Sequence, residues 1–408
     1  MLSLNFAILL SLNLGLAVST VAPRDDTKVN NITRLPLPFP THHLFQFDNV
    51  GTYIENVAAR SNGDLLFTLV SPTPQIHLLS GIQSGNPQDT TLYEFPDMTS
   101  LEGITEISPD VFVVVGGKFY SVANPISGTF SLWQISLAGV SCPPCGPGSS
   151  GGQPTITKLM DLPEHIFPNG IVSVPGEPGI IFVADSFGSL LRVDLNSQKI
   201  DTVAAVPEME PVPGWPFAIG INGIKTYNGY IYWTNSFAAT MYRMAIQASG
   251  FASGNGTSSS NSDNISEVSD DTNEVNINGT STPATAPTLA HHSNDPGNLT
   301  VETVAFLPLT FMDDFAVSSN GSLWITTNPN NTVIAINQDT GKTAVVAGDQ
   351  KQAVLAGVNA AVFGRLDTDK DILYVVTAGG LTSPVNGTFV EPAKIMAIDT
   401  SRAANEGI

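Results

Sequence analysis

Short apolar runs recur along the whole of this chain. Six times such a run belongs to one phrase: a carboxylate or carboxamide residue, a few apolar residues, a tight turn, and a second apolar run. The copies run from Glu55-Asn56-Val57 to Leu65-Leu66-Phe67, from Glu102-Gly103-Ile104 to Val111-Phe112-Val113, and from Asn169-Gly170-Ile171 to Ile180-Ile181-Phe182. They continue from Asn222-Gly223-Ile224 to Tyr230-Ile231-Tyr232, from Asp314-Phe315-Ala316 to Leu323-Trp324-Ile325, and, more loosely, from Asn359-Ala360-Ala361 to Ile372-Leu373-Tyr374. Self-similarity at roughly 40 to 50 residues marks a propeller or array, in which each repeat is a small sheet unable to bury its apolar faces alone. Between the copies, polar and apolar residues alternate over Phe130–Leu137, Leu190–Leu195, Met241–Ile246, Val333–Ile336 and Ile395–Ile398. That alternation, spaced by Asn62-Gly63, Asn228-Gly229 and Asn320-Gly321, predicts half-buried strands joined by hairpins. Each repeat then supplies three or four strands, the content of one blade. The pattern predicts an all-β chain folded as a six-bladed β-propeller, a single domain over residues 40–400. Pairing of Leu44–Phe47 with Ala393–Ile398 would close the ring and leave only short edges.

In a closed ring, equivalent positions face one axis, so the repeated acids and amides are expected to converge. Alternatively they cap strand ends by bonding backbone amides, a common role of Asn and Asp at turns. Composition narrows the partners. The 16 basic against 36 acidic residues, a net charge of -20, argue against a nucleic-acid or anionic-membrane partner. Oligomeric state is not readable from the chain.

Residues 1–19 read as a secretory signal peptide, an apolar run over Leu2–Val18 ending near Ala17, Ser19 and Ala22, though without a Lys or Arg at its start. No other segment is long and apolar enough to span a bilayer. The expectation is a secretory route, ending outside the cell or in a lumenal compartment. Eight Asn-x-Ser/Thr tripeptides, at Asn31, Asn255, Asn264, Asn278, Asn298, Asn320, Asn330 and Asn386, are then candidate glycan acceptors. Several fall in residues 248–298, a stretch rich in Ser, Asn, Thr, Gly and Asp that is expected to be a disordered, glycosylated insert within the propeller. Cys142 and Cys145 sit in Ser-Cys-Pro-Pro-Cys-Gly-Pro-Gly, and the flanking Pro and Gly favour a local disulfide over redox chemistry.

The phrase Pro168-Asn169-Gly170-Ile171, followed by Phe182-Val183-Ala184-Asp185-Ser186, resembles the six-bladed propellers of the senescence-marker/gluconolactonase and strictosidine-synthase-like superfamily. The resemblance spans nearly the whole chain after the leader. It implies a divalent cation held in the central tunnel at the matching positions Glu55, Asn169, Asn222 and Asp314. Such oxygen donors suit Ca2+ above all. Glu102 and Asn359 would then line the tunnel.

The segments leading into the phrase are apolar: His165-Ile166-Phe167-Pro168, Pro213-Gly214-Trp215-Pro216-Phe217 and Leu309-Thr310-Phe311-Met312-Asp313. Phe167, Trp215, Phe217, Phe311 and Met312 are candidate substrate-binding residues around a polar floor, or pack between blades instead. His165 is a candidate acid or base. No Gly-x-Ser-x-Gly elbow, phosphate loop or dinucleotide fingerprint occurs. Within the superfamily, the leader, the sequon-rich insert and the apolar mouth are most similar to secreted fungal hetero-Diels-Alderases of tropolone-sesquiterpenoid biosynthesis. That likeness implies dehydration of a hydroxymethyl tropolone to a quinone methide, then cycloaddition with a humulene-type alkene. Hydrophobic small molecules would be the partners, with Glu55, His165 or Asp314 assisting loss of hydroxide and no cofactor required. The alternatives are a calcium-dependent lactonase and a secreted propeller that binds a small molecule without turnover.

Overall fold

The computed structural model describes residues 30–35, 38–121, 124–140, 153–214, 219–246 and 299–408. The leader, the cysteine pair, Trp215, Phe217 and the sequons at Asn255, Asn264, Asn278 and Asn298 lie outside the described residues.

Six antiparallel sheets form the blades of a β-propeller, and Phe119–Ser121 with Asn124–Pro125 forms a further two-stranded ladder. Blade one comprises Tyr53–Ala59, Leu65–Ser71, Gln75–Ser80 and Gln88–Glu94, and blade two Ser100–Ser108, Val111–Gly117, Ser131–Ser136 and Thr155–Asp161. Blade three is Pro168–Ser173, Ile180–Asp185, Ser189–Asp194 and Lys199–Ala204; blade four is Ile221–Tyr227, Tyr230–Asn235, Thr240–Ala245 and Glu302–Phe306. Blade five is Phe315–Val317, Leu323–Thr327, Thr332–Ile336 and Thr343–Gly348. Blade six takes Val358–Phe363, Ile372–Thr377 and Lys394–Asp399 from the end of the chain, and Thr41–Gln46 from its beginning. The pairing runs from Thr41 opposite Ile398 to Gln46 opposite Lys394, and the Phe47 N–H continues it to the Ala393 carbonyl at 3.1 Å.

Why the second strand of each repeat is apolar throughout follows from its place between two neighbours. Leu65, Phe67 and Leu69 enter the cluster shared with blade six, whereas Leu66 enters the cluster shared with blade two. Phe112 and Val114 likewise face blade one while Val113 and Val115 face blade three. A period of two on a strand covered on both faces gives a continuous apolar run. Six apolar clusters result, one at each junction of consecutive blades.

Threonine hydroxyls add a repeated polar clip between blades. Thr68 Oγ1 donates to the Glu102 carbonyl at 2.9 Å, Thr234 Oγ1 to the Asp313 carbonyl at 2.7 Å, and Thr326 Oγ1 to the Asn359 carbonyl at 2.5 Å. Ile32–Arg34 pairs in parallel with the outer strand of blade five and covers that edge. Among the described residues, no helix is long and apolar enough to cross a membrane. Asn31, Asn320 and Asn386 are exposed, whereas Asn330 is half buried.

Candidate functional site

The repeated acids and amides sit on β-bulges. Pairing of the first strand with the second skips between Ile54 and Asn56, Leu101 and Ile104, Pro168 and Ile171, Ile221 and Ile224, and Val358 and Ala360. A bulge releases a residue from the ladder and re-aims its side chain. In blades two, three and four the polar residue is followed by glycine because the next blade's backbone lies against it. A Cβ on Gly103 would stand 2.7 Å from the Asn169 carbonyl oxygen, and one on Gly170 2.3 Å from that of Asn222. A Cβ on Gly223 would stand 2.7 Å from the Asp314 Cα.

These contacts define the equivalences around the ring. The residue of blade five that corresponds to Asn222 is Asp313, and Asp314 takes the glycine position. The threonine clips agree, since they engage the carbonyls of Glu102, Asp313 and Asn359. The polar ring is therefore Glu55, Glu102, Asn169, Asn222, Asp313 and Asn359, all buried. Asp313 escapes sequence reasoning because two aspartates stand side by side with no glycine after them to mark which one faces the axis. The second level of the ring belongs to Asn56 and Asp314, opposite the bare Gly103, Gly170 and Gly223. Asn56 Nδ2 donates to Asp314 Oδ2 at 3.2 Å, and Lys225 Nζ meets Asp314 Oδ1 at 2.6 Å.

Most of the ring is knitted by hydrogen bonds. Asn222 Nδ2 donates to Asp313 Oδ1 and to Ser236 Oγ, each at 3.0 Å. Asn328 Nδ2 donates to Asp313 Oδ2 at 3.3 Å and also contacts Asn359 Oδ1, while Asn359 Nδ2 donates to the Ile54 carbonyl at 2.6 Å. The Ser100 hydroxyl donates to Glu102, and Tyr53 hydrogen-bonds Glu55.

Three of these carboxyls are held away from their ordinary ionisation. Burial pushes Glu102 up to about 7, against the opposing bond from Ser100. Burial and the neighbouring Asp314 and Glu102 charges raise Asp313 to about 7, against the amide bonds from Asn328 and Asn222. Burial, then the charges of Asp313 and Glu102, raise Glu55 well above the usual range. Tyr53, buried beside Glu55, is raised as well. Among the described residues no Lys or Arg is bonded to Glu55, Glu102 or Asp313. A desolvated carboxyl in repulsive company keeps its proton near neutrality, the condition for a general acid.

The ring lies at the start of the inner strands, so the loops leading into them and the loops joining second to third strands share its end of the tunnel. Those loops carry the exposed apolar side chains Val50, Tyr120, Phe187, Leu309, Val354 and Phe389, with Leu309 80% and Tyr120 78% exposed. Phe311 is half buried there and meets Phe237 edge to face at 5.0 Å. Phe167 and Met312 do not join this rim. Phe167 packs against Phe119 and Phe130 between blades two and three, and Met312 is fully buried between blades four and five. Met312 directly precedes the ring residue Asp313 and so points away from it, because side chains alternate along an extended chain.

His165 stands apart from the ring, its Nδ1 3.5 Å from Asp185 Oδ2. Asp185 also accepts the backbone N–H groups of Ile166 at 3.1 Å, Phe167 at 3.0 Å and Phe187 at 3.2 Å. Although burial opposes it, these bonds hold the Asp185 carboxyl below the usual range. His165 and Asp185 thus fasten the loops of blade three.

Among the described residues, no group of three or more His, Cys, Asp or Glu side chains is arranged to hold a metal ion. A cation in the ring would need amide oxygens from Asn169 and Asn222 beside the carboxylates. The donor set of Glu55, Asn169, Asn222 and Asp313 is chemically suited to a hard cation, with Asp313 rather than Asp314 in contact with Asn222.

No protein-family model matches the chain. It is 23% identical over 396 residues to the Sarocladium schorii protein named "Putative hetero-Diels-Alderase asR5", covering 90% of this chain and 85% of that one. It is 24% identical over 370 residues to a Phoma sp protein named "Putative hetero-Diels-Alderase", covering 85% and 89%. Among solved structures, a luciferin-regenerating enzyme superposes with a TM-score of 0.52 at 13% identity, covering 88% of this chain and 95% of that one. The calcium-binding protein regucalcin of Agrobacterium tumefaciens superposes with a TM-score of 0.51 at 13% identity, covering 91% and 96%. The chain is a six-bladed β-propeller, similar over most of its length to two proteins named "Putative hetero-Diels-Alderase".

Proposed function

We propose that this protein is a biosynthetic hetero-Diels-Alderase that joins a tropolone quinone methide to a humulene-type sesquiterpene at the apolar mouth of the propeller. The observation that carries this reading is the similarity over 90% of the chain to a protein named "Putative hetero-Diels-Alderase asR5". The site supports it in two ways. Glu55, Glu102 and Asp313 are buried carboxyls that retain protons near neutrality, as a dehydration requires. One of them gives its proton to the departing hydroxyl of the hydroxymethyl group as the C–O bond breaks. The ring hydroxyl of the tropolone returns a proton to the carboxylate, so the acid is restored and water is the only by-product. Cycloaddition then forms one C–C and one C–O bond without further proton transfer.

The second step needs orientation more than acid or base. Holding two partners in a reactive geometry contributes roughly 7 to 11 kcal/mol in favourable cases. The rim of Val50, Phe187, Leu309 and Phe389, with the Phe237–Phe311 pair, offers apolar contact to a hydrocarbon ring and keeps water from a reactive quinone methide. The test is incubation of purified protein with a hydroxymethyl tropolone and humulene. The reading expects one regio- and stereoisomer in excess over the buffer reaction; product ratios equal to those in buffer would reject it.

A second reading, a calcium-dependent hydrolase, is favoured by one observation: three buried acids share the ring without a basic partner. Bound Ca2+ would neutralise them and polarise an ester carbonyl. Glu55, Asn169, Asn222 and Asp313 would hold it. Chelator-sensitive lactone hydrolysis, with no selectivity in the cycloaddition, would establish this reading over the first. We also take the chain to enter the secretory route, a reading supported by the exposure of Asn31, Asn320 and Asn386.

A further inference from the structure

One ring side chain differs from the other five. Glu55 is bonded to Tyr53, Glu102 to Ser100, Asn222 to Ser236 and Asp313, Asp313 to Asn222 and Asn328, and Asn359 to Asn328 and the Ile54 carbonyl. Asn169, only 4% exposed, makes no side-chain hydrogen bond among the described residues. With no protein partner among them, its amide is left to water or to a ligand.

Blade four shows what a satisfied version looks like. There Asn235 pairs with Ile221, and the next residue, Ser236, accepts the Asn222 Nδ2 at 3.0 Å. Blade three has the same parts: Asp185 pairs with Pro168, and Ser186 follows. Yet the Ser186 Oγ is enclosed and without a partner, and the Asn169 amide has not turned to it. Unlike the Ser186 Oγ, the amide atoms of Asn169 are not sealed off. They lie in the ring between Glu102 of blade two and Asn222 of blade four.

We propose that Asn169 anchors the substrate through its carboxamide, and that the group it takes is a vicinal hydroxy-carbonyl pair. A carboxamide presents one N–H donor and one C=O acceptor in a common plane, and its complement is an acceptor beside a donor. The tropolone ring of the cycloaddition reading carries that pair, and the choice of this ligand rests on that reading. Ser186 stands behind Asn169 as the bond it forgoes while the ligand is held.

The experiment titrates wild type, Asn169→Ala, Asn169→Asp and Ser186→Ala with tropolone itself, followed by its near-ultraviolet absorbance, and measures Ca2+ binding in parallel. Asn169→Asp, titrated at a pH high enough to ionise the added carboxyl, keeps the shape and an oxygen but offers no donor, so it carries the test should Asn169→Ala fail to fold. Tropolone affinity is expected to fall about tenfold or more in both Asn169 variants, with Ser186→Ala near wild type. In turnover, Asn169→Ala would raise KM for the tropolone partner more than it lowers kcat. Unchanged tropolone affinity in Asn169→Asp, with Ca2+ binding kept or tightened, would overturn the anchor and make Asn169 a cation ligand. Wild type that binds no tropolone overturns it outright. Asn169-dependent tropolone binding without selective cycloaddition would reject the reading and keep the anchor; selective turnover with Asn169→Ala unaffected would do the reverse.

Discussion

Folding stability should fall as pH rises from about 4 to 7, because the ring holds its protons more tightly than the unfolded chain does. Glu102 and Asp313 sit near 7 when folded, against about 4 for exposed carboxyls. Between those values the native state binds more protons than the unfolded state, which makes the slope of stability with pH negative. The contribution is whole below about pH 4 and is lost once pH passes 7. A carboxyl carried over that interval of about three pH units loses about 4 kcal/mol. Because the two charges interact, they titrate as a set rather than twice over. Asp185, Asp349 and Asp399 carry the opposite sign, their carboxyls being lowered, but they act below about pH 4 and leave the window to the ring. The assay is urea unfolding of the ligand-free, chelator-treated protein at half-unit steps from pH 4.5 to 8, followed by tryptophan fluorescence. Glu102→Gln keeps an oxygen for the Ser100 hydroxyl, and Asp313→Asn removes the other charge; together they should make the slope shallower, leaving the share of Glu55, which burial raises as well. Saturating Ca2+, if the ring binds it, would reverse the slope, since only ionised carboxylates ligate and binding stabilises by RT ln(1 + [L]/Kd). A chelated wild type whose stability is level or rises from pH 4.5 to 7 would refute the reasoning.

Gly170→Ala should destabilise by about 1–3 kcal/mol in chemical unfolding, since its Cβ would lie 2.3 Å from the Asn222 carbonyl oxygen. Lys225→Met should cost about 1–3 kcal/mol by stranding buried Asp314, and adding Asp314→Asn should recover much of it in a double-mutant cycle. Thr326→Val, which removes the clip to blade six, should cost about 1–2 kcal/mol by the same unfolding measurement. Asn320 and Asn386, exposed on turns, should lose a glycan on substitution by Gln, seen as stepwise loss of the mass removed by glycosidase; unchanged mass in both would exclude occupancy there.

The propeller was legible because two periods coincide in the chain. A second strand buried on both faces reads as an unbroken apolar run, and the phrase that precedes it recurs once per blade. The closing pair was legible for a related reason, since Leu44–Phe47 and Ala393–Ile398 are apolar runs left over at the two ends. Positions off by one residue were not legible. In blades two to four, glycine marks the bulge and fixes which residue faces the axis. Blade five has Asp313-Asp314 and no glycine, so only the three-dimensional contacts of Gly223 separate the ring acid from its neighbour. The rim was misread at Met312 because a residue next to a ring position faces the opposite side, into the blade junction, and at Phe167 because its aromatic ring, two residues before Asn169, is taken up by Phe119 and Phe130. The strand Ile32–Arg34 escaped notice because three residues carry no periodicity.

The distribution of charge around the axis has a consequence for both readings of function. Acids occupy blades one, two and five, amides blades three, four and six, and the cation of Lys225 is committed to Asp314 one level away. Three ionised carboxylates in so small a buried ring would repel one another and lack solvation, so the ring must either keep protons or take up a cation. The first state is a proton donor beneath an apolar mouth, which dehydration of a hydroxymethyl tropolone needs. The second is a Lewis acid, which hydrolysis needs. One set of residues can support either chemistry, and the occupant at working pH decides between them. Asn169 is the side chain through which that occupant becomes visible: a planar hydroxy-carbonyl ligand needs its N–H, a cation only its oxygen. Replacing that N–H by an ionised oxygen, in Asn169→Asp above the pH at which the ring carboxyls hold their protons, therefore separates the two states of the ring in a way that removing any of its acids cannot.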